Sequence, residues 1–143
     1  MKKPFLIIRK VKPEDINTIL KIEKEAFPKT AYSKQTFLNY EIHLPDTFLV
    51  IELENTIIGY IIFDRDGYIH STSIKYQYRK KGFGKMLFMY AIKSVQKSLW
   101  LEVRAKNSGA IAFYKRLGMK ITGRISNYYG NDDALIMVMS QKK

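Results

Sequence analysis

A short basic segment with two glycines carries the clearest chemical signal in the sequence: Tyr78-Arg79-Lys80-Lys81-Gly82-Phe83-Gly84-Lys85. It joins a predicted strand to a predicted helix. The first turn of a helix has unpaired N–H groups and a partial positive charge, so it can hold a phosphate. Glycine lets the backbone approach that phosphate closely, and four cations add to the field: Arg79, Lys80, Lys81 and Lys85. We interpret the segment as a pyrophosphate-binding loop.

Two better-known phosphate motifs do not fit this loop. The Gly-Lys-Ser/Thr ending of a P-loop is absent, and Leu87 stands where a dinucleotide fingerprint has its third glycine. The alternative interpretation is a tight strand-to-helix turn on a basic surface.

Glu102 is a candidate functional carboxylate. It lies within a predicted strand, Leu99–Arg104, whose apolar residues alternate with it and face the other way. A carboxylate in such a strand is costly unless it is paired or hydrated. The alternative interpretation is a structural ion pair with Arg104, Lys75 or Lys93.

Three tyrosines are candidates for proton donation and binding. Tyr114 lies on a predicted helix, and a phenol with an ordinary pKa of about 10 is protonated at neutral pH. The alternative for Tyr114 is a core position on the apolar face of its helix. Tyr128 and Tyr129 are adjacent in a polar loop, which favours a binding role over burial in the core.

The elements that must position these residues follow from periodicity and breakers. Their order is β-α-α-β-β-β-α-β-α-β-β, which indicates one mixed α/β domain over residues 1–143. In the third helix, the apolar positions Met86, Leu87, Tyr90 and Ala91 predict the buried stripe. Strands are expected at 5–11, 47–53, 56–63, 68–75, 99–104, 119–123 and 133–140, and helices at 13–27, 33–43, 82–95 and 107–117.

Composition narrows the possible classes of protein. The chain has no cysteine and only two histidines, which argues against disulfides, a thiolate zinc site or any metal cluster. The N-terminal apolar run is too short for a signal peptide, and no run approaches the ~18 apolar residues of a membrane span. We therefore expect a cytoplasmic protein without membrane contact. The net charge of +12 favours anionic partners.

The loop and the C-terminal half together resemble the GNAT superfamily of N-acetyltransferases. Arg79-x-x-Gly82-x-Gly84 resembles its Gln/Arg-x-x-Gly-x-Gly/Ala signature. The segments 101–107, 110–119 and 128–134 resemble the RimI and Ard1 branch, which acetylates protein N-termini, and the similarity runs from about residue 5 to 139. The resemblance implies a mixed sheet of about seven strands with a β-splay, and about four helices.

The resemblance also implies acetyl-CoA as cofactor and a role for each candidate residue. Glu102 would be the general base, and Tyr114 the acid that protonates the leaving thiolate. The N–H of Ile74 would stabilise the developing oxyanion. The implied cofactor-binding residues are Thr72, Ser73, Ile74, Arg79, Lys80, Lys81, Gly82, Phe83, Gly84, Lys85, Asn107 and Tyr114. The implied walls of the acceptor slot are Phe27, Pro28, Tyr32, Tyr128 and Tyr129.

The acceptor is less well defined than the cofactor. The branch implies the α-amine of a ribosomal or nascent protein, and with it an association with the ribosome. Tyr32 replaces the tryptophan common in bacterial members, and Ser71-Thr72-Ser73 is unusually polar, so a lysine side chain or a small-molecule amine remains an alternative. A second alternative is a basic nucleic-acid or ribosome-binding module without catalysis. Its cations would line a recognition helix, whereas here they gather at one turn, so no nucleic-acid recognition is expected.

Overall fold

The computed structural model describes residues 5–140 and contains every predicted element in the predicted order. The strands are β1 Leu6–Lys10, β2 Phe48–Leu53, β3 Thr56–Phe63, β4 Ile69–Ile74, β5 Leu99–Arg104, β6 Lys120–Ile125 and β7 Ala134–Met139. The helices are α1 Ile16–Ala26, α2 Lys34–His43, α3 Phe83–Val95 and α4 Ser108–Leu117. None of the helices in this described range is long and apolar enough to span a membrane.

The strands form two antiparallel sheets that part at one seam. One sheet has the order β1-β2-β3-β4 and the other has the order β5-β7-β6. A parallel bridge between Tyr68 and Trp100 joins them, and the Trp100 N–H donates to the Gly67 carbonyl at 2.9 Å. No further ladder connects β4 to β5 within the described residues. The predicted β-splay is therefore confirmed, with its open end at the C-terminal ends of β4 and β5.

The register of β4 decides which backbone groups face the open splay. Lys75 donates its N–H to the carbonyl of Ile58, and Gly59 pairs with Ile74 one position further along. Hydrogen-bonded and non-hydrogen-bonded pairs alternate in an antiparallel ladder. The N–H and carbonyl of Ile74 therefore point away from β3, into the gap between β4 and β5.

Two hydrophobic cores cover opposite faces of the larger sheet. On β2, Leu49 and Ile51 face the core beneath α3, whereas Phe48 and Val50 face the core beneath α1 and α2. This alternation is what the pleat of a strand requires when both faces are covered. The sheet is thereby held rigidly at the strands that lead to the splay.

The buried stripe of α3 was predicted wrongly in part. Leu87 and Ala91 are buried as expected, but Met86 and Tyr90 are 45% and 47% exposed. Phe88 and Ile92 take their places in the core. Apolar residues lie on almost every face of this helix, so its sequence does not single out the side that packs.

The first helix begins at Ile16, later than the predicted start at Pro13, because the residues before it form a separate turn that Asp15 holds to β1. Pro13–Asp15 form a 3-10 turn, and the Asp15 carboxylate accepts from the Arg9 guanidinium at 2.8 Å and from the Lys12 N–H at 2.7 Å. Burial alone would raise the pKa of Asp15, but these hydrogen bonds outweigh it and lower the pKa. Asp15 thus anchors the start of α1 to β1.

Candidate active site

The glycine loop ends in an open helix N-terminus. Gly82 has φ +88° and caps α3. Its carbonyl accepts the first hydrogen bond of the helix, from the N–H of Met86 at 3.1 Å. The N–H groups of Phe83, Gly84 and Lys85 therefore lack acceptors within the helix. A Cβ at Gly82 would meet no atom within 4 Å. The turn is thus both left-handed and unobstructed, as a phosphate-binding turn requires.

Gly84 serves a different purpose from Gly82. A Cβ built on Gly84 would lie 2.4 Å from Cδ2 of Leu117 and 3.3 Å from Cγ1 of Ile74. This glycine lets α3 pack closely against α4 and the end of β4. The first turn of α3 is thereby brought to the edge of the splay.

Arg79 is tied to the protein rather than free for a phosphate. Its Nε donates to the carbonyl of Ile74 at 2.7 Å, and its Nη2 donates to Oγ of Ser73 at 3.4 Å. The guanidinium also lies 5.2 Å from the ring centroid of Phe113. Arg79 thus partners the splayed end of β4, where a neighbouring strand would otherwise supply the hydrogen bond.

A cleft of about 690 Å³ opens beside this loop, within the size range of small-molecule sites. The predicted site residues along its wall are Phe27, Thr72, Ser73, Arg79, Lys80, Asn107 and Tyr114. Sequence reasoning missed other wall residues, namely Ala26, Tyr76, Gln77, Gly109, Ala110, Ala112, Phe113 and Arg116. A smaller cleft of about 80 Å³ is lined by Ile74, Gly82, Gly84 and Lys85. Because Arg79, Lys80, Phe113 and Arg116 line both clefts, the two are adjacent.

Three of the predicted cofactor residues have other positions or a second task. Lys81 is exposed and, like Phe83, lines neither cleft. The side chain of Asn107 accepts from the N–H of Ala110 at 3.1 Å, so it caps α4 while also lining the larger cleft. The capping role and the position beside the cleft are compatible.

Tyr114 presents a phenol that stays protonated. Its pKa is raised to about 12, mainly by burial and also by the negative charges of Glu23 and Tyr129. The positive charge of Arg79 has the opposite effect on this pKa. Its ring contacts Phe113, and within the described residues its hydroxyl makes no hydrogen bond. A phenol that lines the cleft and lacks an internal partner can donate to whatever occupies the cleft.

Glu102 is held by a tyrosine and not by a cation. The hydroxyl of Tyr68 donates to Oε1 of Glu102. Among residues 5–140, Glu102 forms no ion pair with Arg104, Lys75 or Lys93. One carboxylate oxygen remains for other donors. Sequence reasoning missed Tyr68, because its position directly after a predicted turn gave no chemical signal.

Arg104 instead organises the loop between β6 and β7. Its guanidinium donates to Oδ1 of Asn131 at 2.9 Å and lies 4.2 Å from the ring centroid of Tyr129. Burial and the charge of Glu102 raise the pKa of Tyr129. Tyr128 packs edge-to-face on Tyr129 and is 51% exposed. The tyrosine pair thus extends from near Glu102 to the surface.

The segment between α1 and α2 carries Tyr32, which lies near Tyr68. Burial is the main cause that raises the pKa of Tyr68, and Tyr128 and Tyr32 are near enough to raise it further. The Tyr32 N–H donates to Oε2 of Glu23 at 3.0 Å, and its hydroxyl donates to the carbonyl of His70 at 3.2 Å. Burial, Tyr40 and Glu23 raise the pKa of Tyr32 to about 12. Glu23 is buried, and, like Tyr68, it was not identified from the sequence.

The predicted site residues therefore fall into two groups. Phe27, Tyr114 and the cofactor candidates other than Lys81 and Phe83 line the clefts. Neither cleft is lined by Glu102 or by the other acceptor candidates, Pro28, Tyr32, Tyr128 and Tyr129. Glu102 lies on β5 two residues beyond the bridge at Trp100, where the strands begin to part. Glu102 thus keeps one carboxylate oxygen free of protein donors at the place where the two strands part.

Comparisons with known proteins agree on one family. The model of the acetyltransferase (GNAT) family matches residues 15–119. A protein of Bacillus subtilis (strain 168) named putative [ribosomal protein bS18]-alanine N-acetyltransferase is 34% identical, with 91% of this chain and 92% of the relative covered. An N-alpha-acetyltransferase of Sulfurisphaera tokodaii is 28% identical, with 91% and 90% covered.

A solved structure matches the fold closely as well. The crystal structure of Ard1 from Thermoplasma volcanium superposes with a TM-score of 0.79 at 26% identity, covering 96% of this chain and 99% of that one. The family match over most of the chain, the splay and the open glycine turn all lead to the same conclusion. This protein belongs to the GNAT family, and it is an N-acetyltransferase that uses acetyl-CoA.

Proposed function

We propose that the enzyme acetylates the N-terminal α-amine of proteins, with ribosomal or nascent cytoplasmic proteins as acceptors. The observation that carries this proposal is the position of Glu102. It lies at the parting of β4 and β5, uses one oxygen to accept from Tyr68, and forms no ion pair in the described chain. A base in this position can reach an amine that approaches the splay from the side opposite the cofactor cleft.

The cleft residues supply binding and orientation. The free N–H groups after Gly82, together with Lys80, Lys85 and Arg116 around the two clefts, fit a pyrophosphate and its charge. Acetyl-CoA supplies an acetyl group activated as a thioester. The N–H of Ile74 faces the gap and would donate to an oxygen that gains negative charge there.

Two side chains handle the protons. An ammonium has no lone pair, so the acceptor must lose a proton before it attacks, and Glu102 would take that proton directly or through one water. A pKa of about 12 keeps Tyr114 protonated at neutral pH, and its hydroxyl would give that proton to the leaving sulfur. The second proton that the nitrogen loses as the amide forms would return to the phenolate of Tyr114 through water. The two groups thus act on opposite sides of the splay.

The proteins similar to this chain support a protein acceptor. The relative from Bacillus subtilis is named for an alanine of a ribosomal protein, and the relative from Sulfurisphaera tokodaii for an α-amine. In this chain, Tyr128 is exposed at the rim of the site and Tyr32 forms part of the facing segment. Two aromatic walls of this kind suit an extended peptide, whose end enters between them.

Mass spectrometry of a peptide panel tests the proposal. Each peptide carries a free N-terminus, one of several first residues and a single internal lysine, and a matched set is blocked at the N-terminus. We expect acetyl-CoA-dependent acetylation on the N-terminal amine of the free peptides and none on the blocked set. Acetylation of lysine in both sets would overturn the α-amine assignment and select the lysine alternative.

A further inference from the structure

Glu23 is a buried carboxylate for which the reaction above has no use. Its residue is 2% exposed, and within residues 5–140 it forms no ion pair. Burying an unpaired anion is costly unless hydrogen bonds replace its water. A fold that keeps a carboxylate here needs it for something that an apolar side chain could not supply.

Three donors converge on this carboxylate from three parts of the chain. The hydroxyls of Tyr60 on β3 and Ser71 on β4 donate to Oε1, the second at 3.4 Å. The backbone N–H of Tyr32 donates to Oε2 at 3.0 Å. Hydrogen bonds to a charged acceptor are about twice as strong as neutral ones. Glu23 therefore joins the segment after α1 to the strand that borders the splay.

Tyr32 is fixed at both ends by this arrangement. Glu23 holds its backbone, and its hydroxyl donates to the carbonyl of His70 on β4 at 3.2 Å. Between Phe27 and Tyr32, one further backbone hydrogen bond is present, from Thr30 to Phe27 at 3.2 Å. The segment thus has little regular structure of its own, and its position depends on the contacts of Tyr32.

We propose that Glu23 is a positioning residue for the acceptor: its buried carboxylate pins the backbone of Tyr32 and sets the wall of the slot formed by residues 27–32. This inference rests on the proposed function, because it assumes that the amine enters beside that wall. Glu23 does not line the cofactor cleft. Within the wall, only Phe27 borders that cleft, so we expect the main effect of Glu23 on acceptor binding and a small one on acetyl-CoA binding.

Two substitutions separate the contact of Glu23 from its charge. Glu23→Asp keeps the charge but withdraws the carboxylate by about 1.5 Å, one C–C bond, which takes Oε2 out of hydrogen-bond reach of Tyr32. Glu23→Gln loses the charge but keeps the reach. Its amide oxygen can accept from Tyr32, and its NH₂ can donate to the hydroxyl oxygens of Tyr60 and Ser71. Glu14→Asp is the matched control, because Glu14 is exposed and makes no hydrogen bond or ion pair in the described chain.

The first readout is amide hydrogen exchange at Tyr32, measured by NMR on the free protein. We expect exchange about tenfold faster in Glu23→Asp, as the loss of one hydrogen bond to a charged group implies. Exchange should match the wild type in Glu14→Asp. In Glu23→Gln it should lie between those of the wild type and Glu23→Asp, because a neutral oxygen accepts a weaker hydrogen bond. The exchange measurement needs no substrate, so it reports on the hydrogen bond between Tyr32 and Glu23 even if the proposed acceptor is wrong.

The second readout is steady-state kinetics with the best peptide of the panel. We expect Glu23→Asp to raise the KM for the peptide about tenfold while the KM for acetyl-CoA stays within twofold of wild type. Glu23→Gln should behave as wild type. An unchanged peptide KM in Glu23→Asp, or a loss confined to Glu23→Gln, would overturn the positioning role. If the wild type acetylates no peptide N-terminus, the proposed function fails and the exchange arm alone decides whether Glu23 holds Tyr32.

Discussion

Gly82 offers a direct test of the phosphate-binding turn, because Asp and Asn have the same shape and differ by one charge. The residue has φ +88°, and a Cβ there would meet no atom within 4 Å. Asn and Asp are the side chains that best tolerate the left-handed region, at a cost below about 1–2 kcal/mol. Gly82→Asp and Gly82→Asn therefore share the same strain and the same space.

The difference between the two variants can be worked out from Coulomb's law. A carboxylate at position 82 would lie about 5 Å from a phosphate held by the adjacent N–H groups. Two unit charges at that distance repel by about 1 kcal/mol in water and about 3 kcal/mol at an effective dielectric constant of 20. Gly82→Asp should therefore bind acetyl-CoA about 5-fold to 150-fold more weakly than Gly82→Asn.

Isothermal titration calorimetry at low and high salt measures this ratio, and thermal melting without ligand checks that both variants fold equally well. The ratio should shrink at high salt, because ions screen exposed charges. Equal dissociation constants for the two variants would refute the reasoning, since an anion at this turn must sense the added charge.

Further predictions concern the proton-transfer groups and the anchor of α1. Glu102→Gln keeps a hydrogen bond to Tyr68 and should retain acetyl-CoA affinity while kcat falls about 10²-fold to 10⁴-fold, measured by thiol release; unchanged kcat would assign Glu102 to structure. Tyr114→Phe should lower kcat with acetyl-CoA affinity unchanged, and because the pKa of Tyr114 is about 12, wild-type kcat should show no alkaline decline below about pH 10 from this group. The pKa of Asp15 is lowered in the folded state, so its stabilisation is present above the ordinary aspartate pKa and is lost as pH falls through the folded value. Asp15→Asn should therefore cost about 2 kcal/mol of unfolding free energy at pH 7 and less at pH 3, below the ordinary aspartate pKa, by urea denaturation; an equal cost at both pH values would contradict this.

The sequence predicted the order of elements because breakers and caps mark nearly every boundary. Pro28 and Pro45 follow α1 and α2, Ser33 and Asn107 cap α2 and α4, and Gly118 ends α4. The cofactor loop was predictable for the same reason, since its glycines and cations are contiguous in sequence. The residues lining the clefts on α4 were partly missed, because which face of that helix turns to the cleft depends on tertiary packing.

The polar contacts behind the site could not be predicted, because they join residues far apart in the chain. Tyr68 and Glu102 are separated by 34 positions, and Tyr60 and Glu23 by 37. Nothing in the local pattern around either glutamate indicates a phenol as its partner. The alternative interpretation of Glu102, an ion pair with a nearby cation, was chemically reasonable, but Arg104 contacts the loop that carries Tyr129 instead.

The most direct test of the account is a crystal structure of the enzyme with coenzyme A and a peptide acceptor. The account predicts the diphosphate against the first N–H groups of α3, the sulfur near the hydroxyl of Tyr114, and the peptide amine within one water of Glu102. Coenzyme A bound away from this helix end, or a peptide amine remote from Glu102, would contradict it.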